Sequence, residues 1–258
     1  MVEFVSANPT GPMHMGNARG GALGDCLAAV LDKAGYNAWR EFYVNDAGNQ
    51  IEKFGCSLEA RYLQIFKGDE IEFPEDGYQG EDIKDLAKEY ADLNGDSLVN
   101  VSAEERKKAL VDYALPKNIK KMQADMEKYK IFYDKWFFES ELHKSGAVKA
   151  VVDLLTEKGL TYEKDGAVWY KNKEVLTQKL LKEGKSQKYI DNLELKDDVL
   201  IRQNGNPTYF TADIAYHKNK FDRGFTTLID VWGADHHGHV MRMKGAMDAI
   251  GYDGDKLN

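Results

Sequence analysis

The order of hydrophobic and polar residues predicts that the chain begins with a β-α-β unit. An apolar strand pattern at 2–6 is followed by a loop, a helix and a second strand pattern at 37–44. Within the helix, residues spaced three or four apart should form one buried face: Leu23, Leu27, Val30, Leu31 and Ala34. This order of elements indicates two parallel strands joined by a right-handed crossover.

The middle of the chain is predicted to be mostly helical, and it is rich in charged residues. Ser102 and Glu105 have the spacing of a capping box, which predicts the start of a long helix. Pro116 should kink or break that helix, because its ring blocks a backbone hydrogen bond. Further on, Asp165-Gly166 separates two short apolar runs and predicts a hairpin turn.

Strand-like alternation returns near the end of the chain. Strands are predicted at 199–202 and 208–211, followed by a short helix at about 213–220. A buried strand at 227–232 then leads into the run Gly-Ala-Asp-His-His-Gly-His and a final helix. The predicted fold class is therefore α/β, a Rossmann-like parallel sheet interrupted by a mainly helical insertion.

The same pattern predicts three segments. Residues 1–60 and 196–258 should form the two halves of the α/β domain, and 61–195 should form the insertion with its small hairpin. Ligands of such sheets bind at the carboxyl ends of the parallel strands. The loops that follow the strands are therefore the first place to look for chemistry.

Composition narrows the class of protein. The chain has 258 residues, of which 43% are hydrophobic and 30% charged, which is globular and excludes a disordered or collagen-like chain. Its net charge of −8 argues against broad, non-specific nucleic-acid binding, although a local basic patch stays open. No run is long enough to predict a membrane span. The two cysteines, Cys26 and Cys56, lack a framework spacing, so we expect reduced thiols and a cytoplasmic location.

The loop before the first helix carries the strongest chemical signal. Helix N-termini present unpaired N–H groups and bind phosphate. His14 could donate a hydrogen bond to a phosphoryl oxygen, and Gly16 would let a flat base approach the backbone. Three glycines inside the helix each cost about 0.5–1 kcal/mol relative to alanine, which favours a close approach there: Gly20, Gly21 and Gly24. The alternative is a turn with an incidental histidine.

The run His14-Met15-Gly16-Asn17 resembles the His-x-Gly-His signature of class I aminoacyl-tRNA synthetases. The wider run 2–14 is similar to the arginyl-tRNA synthetase family, and three later segments resemble that family in the same order, at 41–51, 208–217 and 231–239. Asn17 departs from the signature, where a second histidine is usual. It keeps a donor but cannot carry a positive charge, so we expect neutral hydrogen bonds to ATP.

The resemblance implies an arginine–tRNA ligase. Such an enzyme converts arginine and ATP, supplied with Mg²⁺, into arginyl-adenylate and then transfers the arginyl group to tRNA(Arg). We also expect no protein-bound metal, no membrane partner and a monomer. The implied catalytic residues, which also bind ATP, are His14, Gly16 and Asn17. The further implied ATP-binding residues are Gly233, Asp235, His236 and His239.

The implied arginine pocket has a physical basis as well. A guanidinium group presents planar donors that pair best with carboxylates. The resemblance implies that Glu3, Tyr209 and Asp213 surround the substrate side chain. It implies that Ser6 and Asn8 lie near the α-amino group.

Other functions stay open at the level of the sequence. The runner-up is an adenylyltransferase of the same superfamily that acts on another small acid. A hydrolase that binds zinc through His236, His237 and His239 is a third, and a binding protein without activity is a fourth. No Lys-Met-Ser-Lys-Ser loop is present in the 258 residues. We therefore expect a fragment whose tRNA partner is bound by a full-length parent, and which is weak or inactive alone.

Overall fold

The computed structural model describes the backbone of residues 1–258 and every side chain except those of Asp69, Asp235 and His237. The strands are β1 (Val2–Phe4), β2 (Arg40–Val44), β3 (Lys135–Phe138), β4 (Thr161–Lys164), β5 (Ala167–Tyr170), β6 (Asp198–Ile201) and β7 (Ile229–Val231). The helices are α1 (Met15–Lys33), α2 (Asn49–Lys67), α3 (Glu81–Asn94), α4 (Ala103–Lys128), α5 (Glu139–Lys144), α6 (Ala147–Glu157), α7 (Asn172–Lys182), α8 (Gln187–Asp191), α9 (Tyr209–Asp222) and α10 (His237–Ile250).

The chain divides into two units. Unit 1 contains Met1–Phe4, Leu27–Glu41 and Glu139–Asn258, and unit 2 contains Val5–Cys26 and Phe42–Phe138. The division into segments at 61 and 195 stays a prediction.

A parallel sheet includes β1, β7 and the start of β2 from unit 1. Strand β1 pairs in parallel with β7 and with the start of β2, so that Glu3 lies between Glu41 and Asp230. The full strand order is β3-β2-β1-β7. The parallel pairing of β1 and β2 across α1 confirms the predicted β-α-β unit and the α/β fold class.

A second, antiparallel sheet in unit 1 has the order β4-β5-β6. Its hairpin turn is the predicted pair Asp165 and Gly166, which adopt φ values of 52° and 73°. Two successive left-handed residues are what a tight hairpin requires, so this prediction is confirmed.

A buried carboxylate joins α9 to β2 in unit 1. Glu41 is fully buried and accepts two hydrogen bonds from the guanidinium of Arg223, both at 2.7 Å. It also accepts hydrogen bonds from the hydroxyl of Tyr216 at 2.8 Å and from the indole of Trp39 at 3.0 Å. Four donors satisfy the carboxylate, which makes its burial tolerable.

The predicted strand at 208–211 is wrong, because helix α9 already begins at Tyr209. Only Thr208 keeps an extended backbone, and its N–H donates to the carbonyl of Leu200. The hydroxyls of Thr208 and Thr211 donate to the carbonyls of Val199 and Leu200, both at 2.7 Å. The two threonine side chains thus make hydrogen bonds to β6 that the backbone of a paired strand would otherwise make. The backbone that follows Thr208 can therefore form a helix.

The predicted apolar face of α1 is also wrong in part. Leu23 and Val30 are 61% and 65% exposed, whereas Ala28 is fully buried. At Gly21, an added Cβ would lie 2.9 Å from the Cδ1 atom of Ile131. The small residues of α1 form its buried side, because a close neighbour leaves no room for larger ones.

Unit 2 contains an apolar cluster formed by α2, α3 and α4, with Phe54, Leu58 and Tyr62 buried on α2. Helix α4 is capped as predicted, since the Ser102 hydroxyl accepts the Glu105 N–H at 3.2 Å. Helix α4 continues through Pro116, so the helix is not broken there. None of the described helices combines the length and apolar character that crossing a bilayer requires.

Candidate active site

The loop of the signature begins with a sharp backbone turn in unit 2. Val5 and Ser6 both have positive φ, at 71° and 44°, and the turn ends strand β1. A β-branched residue rarely adopts this conformation, and such strain is typical of functional sites. The Ser6 hydroxyl accepts the Tyr43 N–H at 3.1 Å, whereas Asn8 is exposed. Further along, the carbonyl of Pro9 accepts a hydrogen bond from the Asn118 amide at 3.0 Å.

His14 and Asn17 cap the first turn of α1 reciprocally. The Asn17 side-chain oxygen accepts the His14 N–H at 3.0 Å, and Nδ1 of His14 accepts the Gly16 N–H at 3.1 Å. Because Nδ1 acts as an acceptor, a neutral His14 ring carries its proton on Nε2. His14 is exposed, so this geometry presents a neutral N–H donor. The side-chain oxygen of Asn17 has a structural role, which leaves its amide N–H₂ as the donor group.

The glycines of α1 differ in what surrounds them. A Cβ at Gly16 would lie 2.9 Å from Cε1 of His14, so a side chain there would push the histidine ring away. Gly21 is required by packing, as described above. At Gly20, nothing lies within 4 Å of an added Cβ. Of the glycines for which a close approach was predicted, Gly21 faces nearby protein atoms and Gly20 does not.

In unit 1, the charges of four carboxylates act on the hydroxyl of Tyr209. The pKa of Tyr209 is raised, first by the negative charge of Asp213, then by burial, and then by three further carboxylates: Glu3, Glu139 and Asp230. The side chain of Tyr209 is half exposed, whereas Glu3 and Asp213 are buried. Three of the predicted substrate residues thus share one acidic neighbourhood, which suits a cation.

Asp213 has a specific partner in the segment after β7. Nε2 of His239 lies 2.7 Å from Oδ2 of Asp213. The His239 ring lies among aromatic rings, with centroids 5.2 Å from Trp232 and 5.6 Å from Phe210. His239 therefore supports the acidic neighbourhood. Its role toward ATP stays a prediction.

Glu3 is part of a fully buried charge cluster. Nζ of Lys220 lies 2.5 Å from Oε2 of Glu3 and 2.7 Å from Oδ1 of Asp230. Nε2 of His217 lies 2.7 Å from the other oxygen of Asp230. Burial alone would raise the pKa of Asp230, but the charges of Lys220 and His217 hold it well below its usual range.

The loop after β7 contains the remaining candidates. The N–H of His236 donates to the carbonyl of Gly233 at 3.0 Å, and the His236 ring is 5.8 Å from that of Trp232. Gly233 and His236 are exposed, and the side chain of Asp235 lies outside the described side chains. A cavity of about 260 Å³ is lined by Asp230, Trp232, Gly233, Ala234, His236, Val240, Leu257 and Asn258. It could accept part of a nucleotide.

The zinc alternative has no support in the described side chains. Among them, no three histidine, cysteine or carboxylate groups are close enough to hold a metal ion. His237 lies outside the described side chains, so this alternative is not tested in full.

Sequence reasoning missed four charged residues of the acidic neighbourhood: Glu139, His217, Lys220 and Asp230. A signal existed for two of them. His217 and Lys220 lie four and seven residues after Asp213, which places all three on one face of α9. Asp230 carried no comparable spacing, because its partners His217 and Lys220 lie on another element, α9.

A parallel sheet with a helix that follows its first strand defines the class of Rossmann-like α/β folds. The family model for the catalytic domain of class I (R) tRNA synthetases matches residues 1–258. The chain belongs to this family.

Curated relatives and solved structures agree. Arginine–tRNA ligases of Ruminiclostridium cellulolyticum and Caldanaerobacter subterraneus are 58% and 60% identical over the whole chain, which spans 43% of their length. A crystal structure of an arginyl-tRNA synthetase from Campylobacter jejuni is 38% identical to this chain, with a TM-score of 0.81. The match covers the whole of this chain and 52% of the Campylobacter jejuni chain. The Thermus thermophilus arginyl-tRNA synthetase matches over 99% of this chain and 47% of its own, with a TM-score of 0.69 at 20% identity, which shows the fold alone.

Proposed function

We propose that this chain forms the part of an arginine–tRNA ligase that activates arginine with ATP. The observation that carries the proposal is the acidic neighbourhood of the Tyr209 hydroxyl, because a guanidinium needs carboxylate acceptors. The names of the relatives support the same substrate. In the first step, a carboxylate oxygen of arginine attacks the α-phosphorus of ATP. The bond to the bridging oxygen breaks and pyrophosphate leaves.

On the amino-acid side, Asp213 and Glu3 would accept hydrogen bonds from the guanidinium, and Tyr209 would cover it. Ser6 and Asn8 would lie near the α-amino group. The buried position of both carboxylates strengthens their attraction for a cation, because little water screens them. Selection of arginine would follow from charge and planarity together.

On the nucleotide side, His14 would donate its Nε2–H to a phosphoryl oxygen. Asn17 would offer its amide N–H₂ as a neutral second donor, and Gly16 leaves room for the His14 ring. Attack at phosphorus needs positioning and charge stabilisation rather than a side-chain nucleophile. The segment Gly233, Asp235, His236 and His239 would contact the ribose and adenine. ATP is proposed to enter with Mg²⁺ as substrate, without a protein-bound metal.

Transfer of the arginyl group to tRNA(Arg) is proposed for the complete polypeptide, together with a monomeric state and a cytoplasmic location. The chain spans about two fifths of the length of the curated relatives it matches. We therefore expect the 258-residue chain alone to bind ATP or arginine weakly and to aminoacylate little.

An ATP–pyrophosphate exchange assay tests the proposal. It uses the longest natural polypeptide that contains these residues, with tRNA(Arg) present, and each amino acid in turn. Arginine alone should support exchange. Asp213→Asn should raise the arginine KM, while His14→Ala should lower kcat by about 10²–10³, the usual cost of losing one transition-state donor. Exchange that does not depend on arginine would contradict the proposal.

A further inference from the structure

Lys220 is a completely buried charge of unit 1, as Glu41 is. Its side chain has no exposed surface, and it bonds to Glu3 and Asp230 at 2.5 and 2.7 Å. The ammonium also lies 4.4 Å from the centre of the Tyr216 ring. Burying an ammonium is costly unless it is paired and hydrogen-bonded. A lysine kept in this position therefore points to a task that an apolar side chain could not perform.

Asp230 connects Lys220 to a second contact. Both nitrogens of the His217 ring face acceptors, since Nδ1 lies 2.8 Å from the backbone carbonyl of Asp213 and Nε2 lies 2.7 Å from Asp230. A carbonyl and a carboxylate accept but do not donate. Asp230 thus contacts both Lys220, which bonds to Glu3, and His217. His217 in turn faces the backbone carbonyl of Asp213 in the first turns of α9. This network holds the Glu3 carboxylate directly, but it reaches Asp213 only at its backbone carbonyl, since the Asp213 carboxylate is paired with His239.

We propose that Lys220 is a positioning residue that keeps the Glu3 carboxylate ionised and oriented to receive the substrate guanidinium. The proposal rests on the proposed function, because it takes Glu3 as part of the arginine pocket. It assigns to Lys220 no contact with arginine or ATP.

The ionisation of Glu3 should depend on Lys220. Burial raises the pKa of Glu3, and the charge and hydrogen bond of Lys220 oppose that rise. Without Lys220, the pKa of Glu3 would rise further, which favours the protonated, uncharged carboxyl. Raising the pH would then restore its charge and the affinity for arginine. The other ionisable groups that face this cluster are Asp230 on β7, His217, Tyr216 and Tyr209 on α9, Glu41 on β2 and the amino group of Met1.

The test is Lys220→Met in the longest natural polypeptide that contains these residues. The KM values for arginine and ATP are measured by pyrophosphate exchange between about pH 6 and pH 9, the range into which burial can move a glutamate. At low pH the arginine KM should rise at least about tenfold, the scale of one lost charge-assisted hydrogen bond. It should fall again as the pH rises, while the ATP KM changes little. Partial unfolding does not affect this comparison, because a KM does not depend on the active fraction.

Three further variants sharpen the test. Lys220→Arg retains the charge, so the arginine KM should stay independent of pH. Glu3→Gln/Lys220→Met has no group left to ionise, so its raised arginine KM should not recover at high pH. Lys218→Met is the matched control, since Lys218 lies on the same helix and pairs with Asp222 instead.

Two results would separate the possible failures. If Lys220→Met raises both KM values alike, or shows no recovery with pH, Lys220 has only a structural role and the inference is wrong. If the unmodified protein shows no arginine-dependent exchange, the proposed function itself fails.

Discussion

The candidate residues fall into a local half in unit 2 and a long-range half in unit 1, and the two halves are built in opposite ways. Around the signature, His14 and Asn17 bond to each other across three residues, and Gly16 bonds to His14 across two. In the acidic neighbourhood, Lys220 reaches Glu3 across 217 residues, and His239 reaches Asp213 across 26. The first half depends on local capping, and the second depends on the complete fold of unit 1.

This difference has a functional meaning. A phosphate-binding loop needs only a helix N-terminus and a few donors, which a short segment can supply. A pocket for a guanidinium needs several like charges close together. Such charges repel one another unless buried cations between them compensate. In unit 1, Lys220 supplies that compensation for Glu3 and Asp230.

The largest expected effect tests the long-range half. Glu41→Ala should lower the free energy of unfolding by about 3–5 kcal/mol, because it leaves Arg223 and Tyr216 without their buried partner. Urea denaturation measures the change. The control is Asp92→Ala, which removes an exposed pair with Lys88 and should cost no more than about 0.5 kcal/mol. Equal costs for both variants would show that the buried anchor does not stabilise unit 1.

Gly16→Ala tests the local half. The added Cβ should displace the His14 ring, so that kcat falls by about 10²–10³, as for a lost donor. Stability should change by only about 1 kcal/mol, the scale of one cap. Gly20→Ala is the control, since nothing lies near its added Cβ, and exchange kinetics compare the two. An unchanged kcat in Gly16→Ala would argue against His14 as a donor.

A smaller effect is expected at Asn17. Asn17→Ala removes the acceptor of the His14 N–H and should cost about 1 kcal/mol of stability. Asn17→Gln should recover that stability, because glutamine at this helix position reaches back to the same N–H. Thermal denaturation measures both variants. If the Asn17→Ala and Asn17→Gln variants are equally stable, the reciprocal cap is not formed.

The smallest effect lies outside both halves. Ser102→Ala removes the cap of α4 and should cost about 1 kcal/mol, with unchanged KM values for arginine and ATP. This variant shows what a local bond contributes when it has no role in the site. A change in either KM would mean that α4 influences catalysis.

The sequence predicted the local features well. The first β-α-β unit, the Asp165-Gly166 turn and the Ser102 cap are all present, because each depends on residues close in the chain. It failed where distant residues decided the outcome. Thr208 and Thr211 favoured a strand by their β-branched side chains, yet their hydroxyls bond to β6 and the chain enters a helix. The apolar residues of α1 predicted a buried face, yet Leu23 and Val30 are exposed.

The sequence by itself determined the family signature, the first β-α-β unit and the resemblance from which the proposed substrate residues follow. Only the tertiary structure decided which charges neutralise one another. Glu3, Lys220 and Asp230 come together because parallel pairing brings β1 beside β7 and because α9 presents its lysine to both strands. Burial then makes each charge dependent on the others. A pattern of residues along the chain cannot show such dependence, since the partners are separated by most of its length.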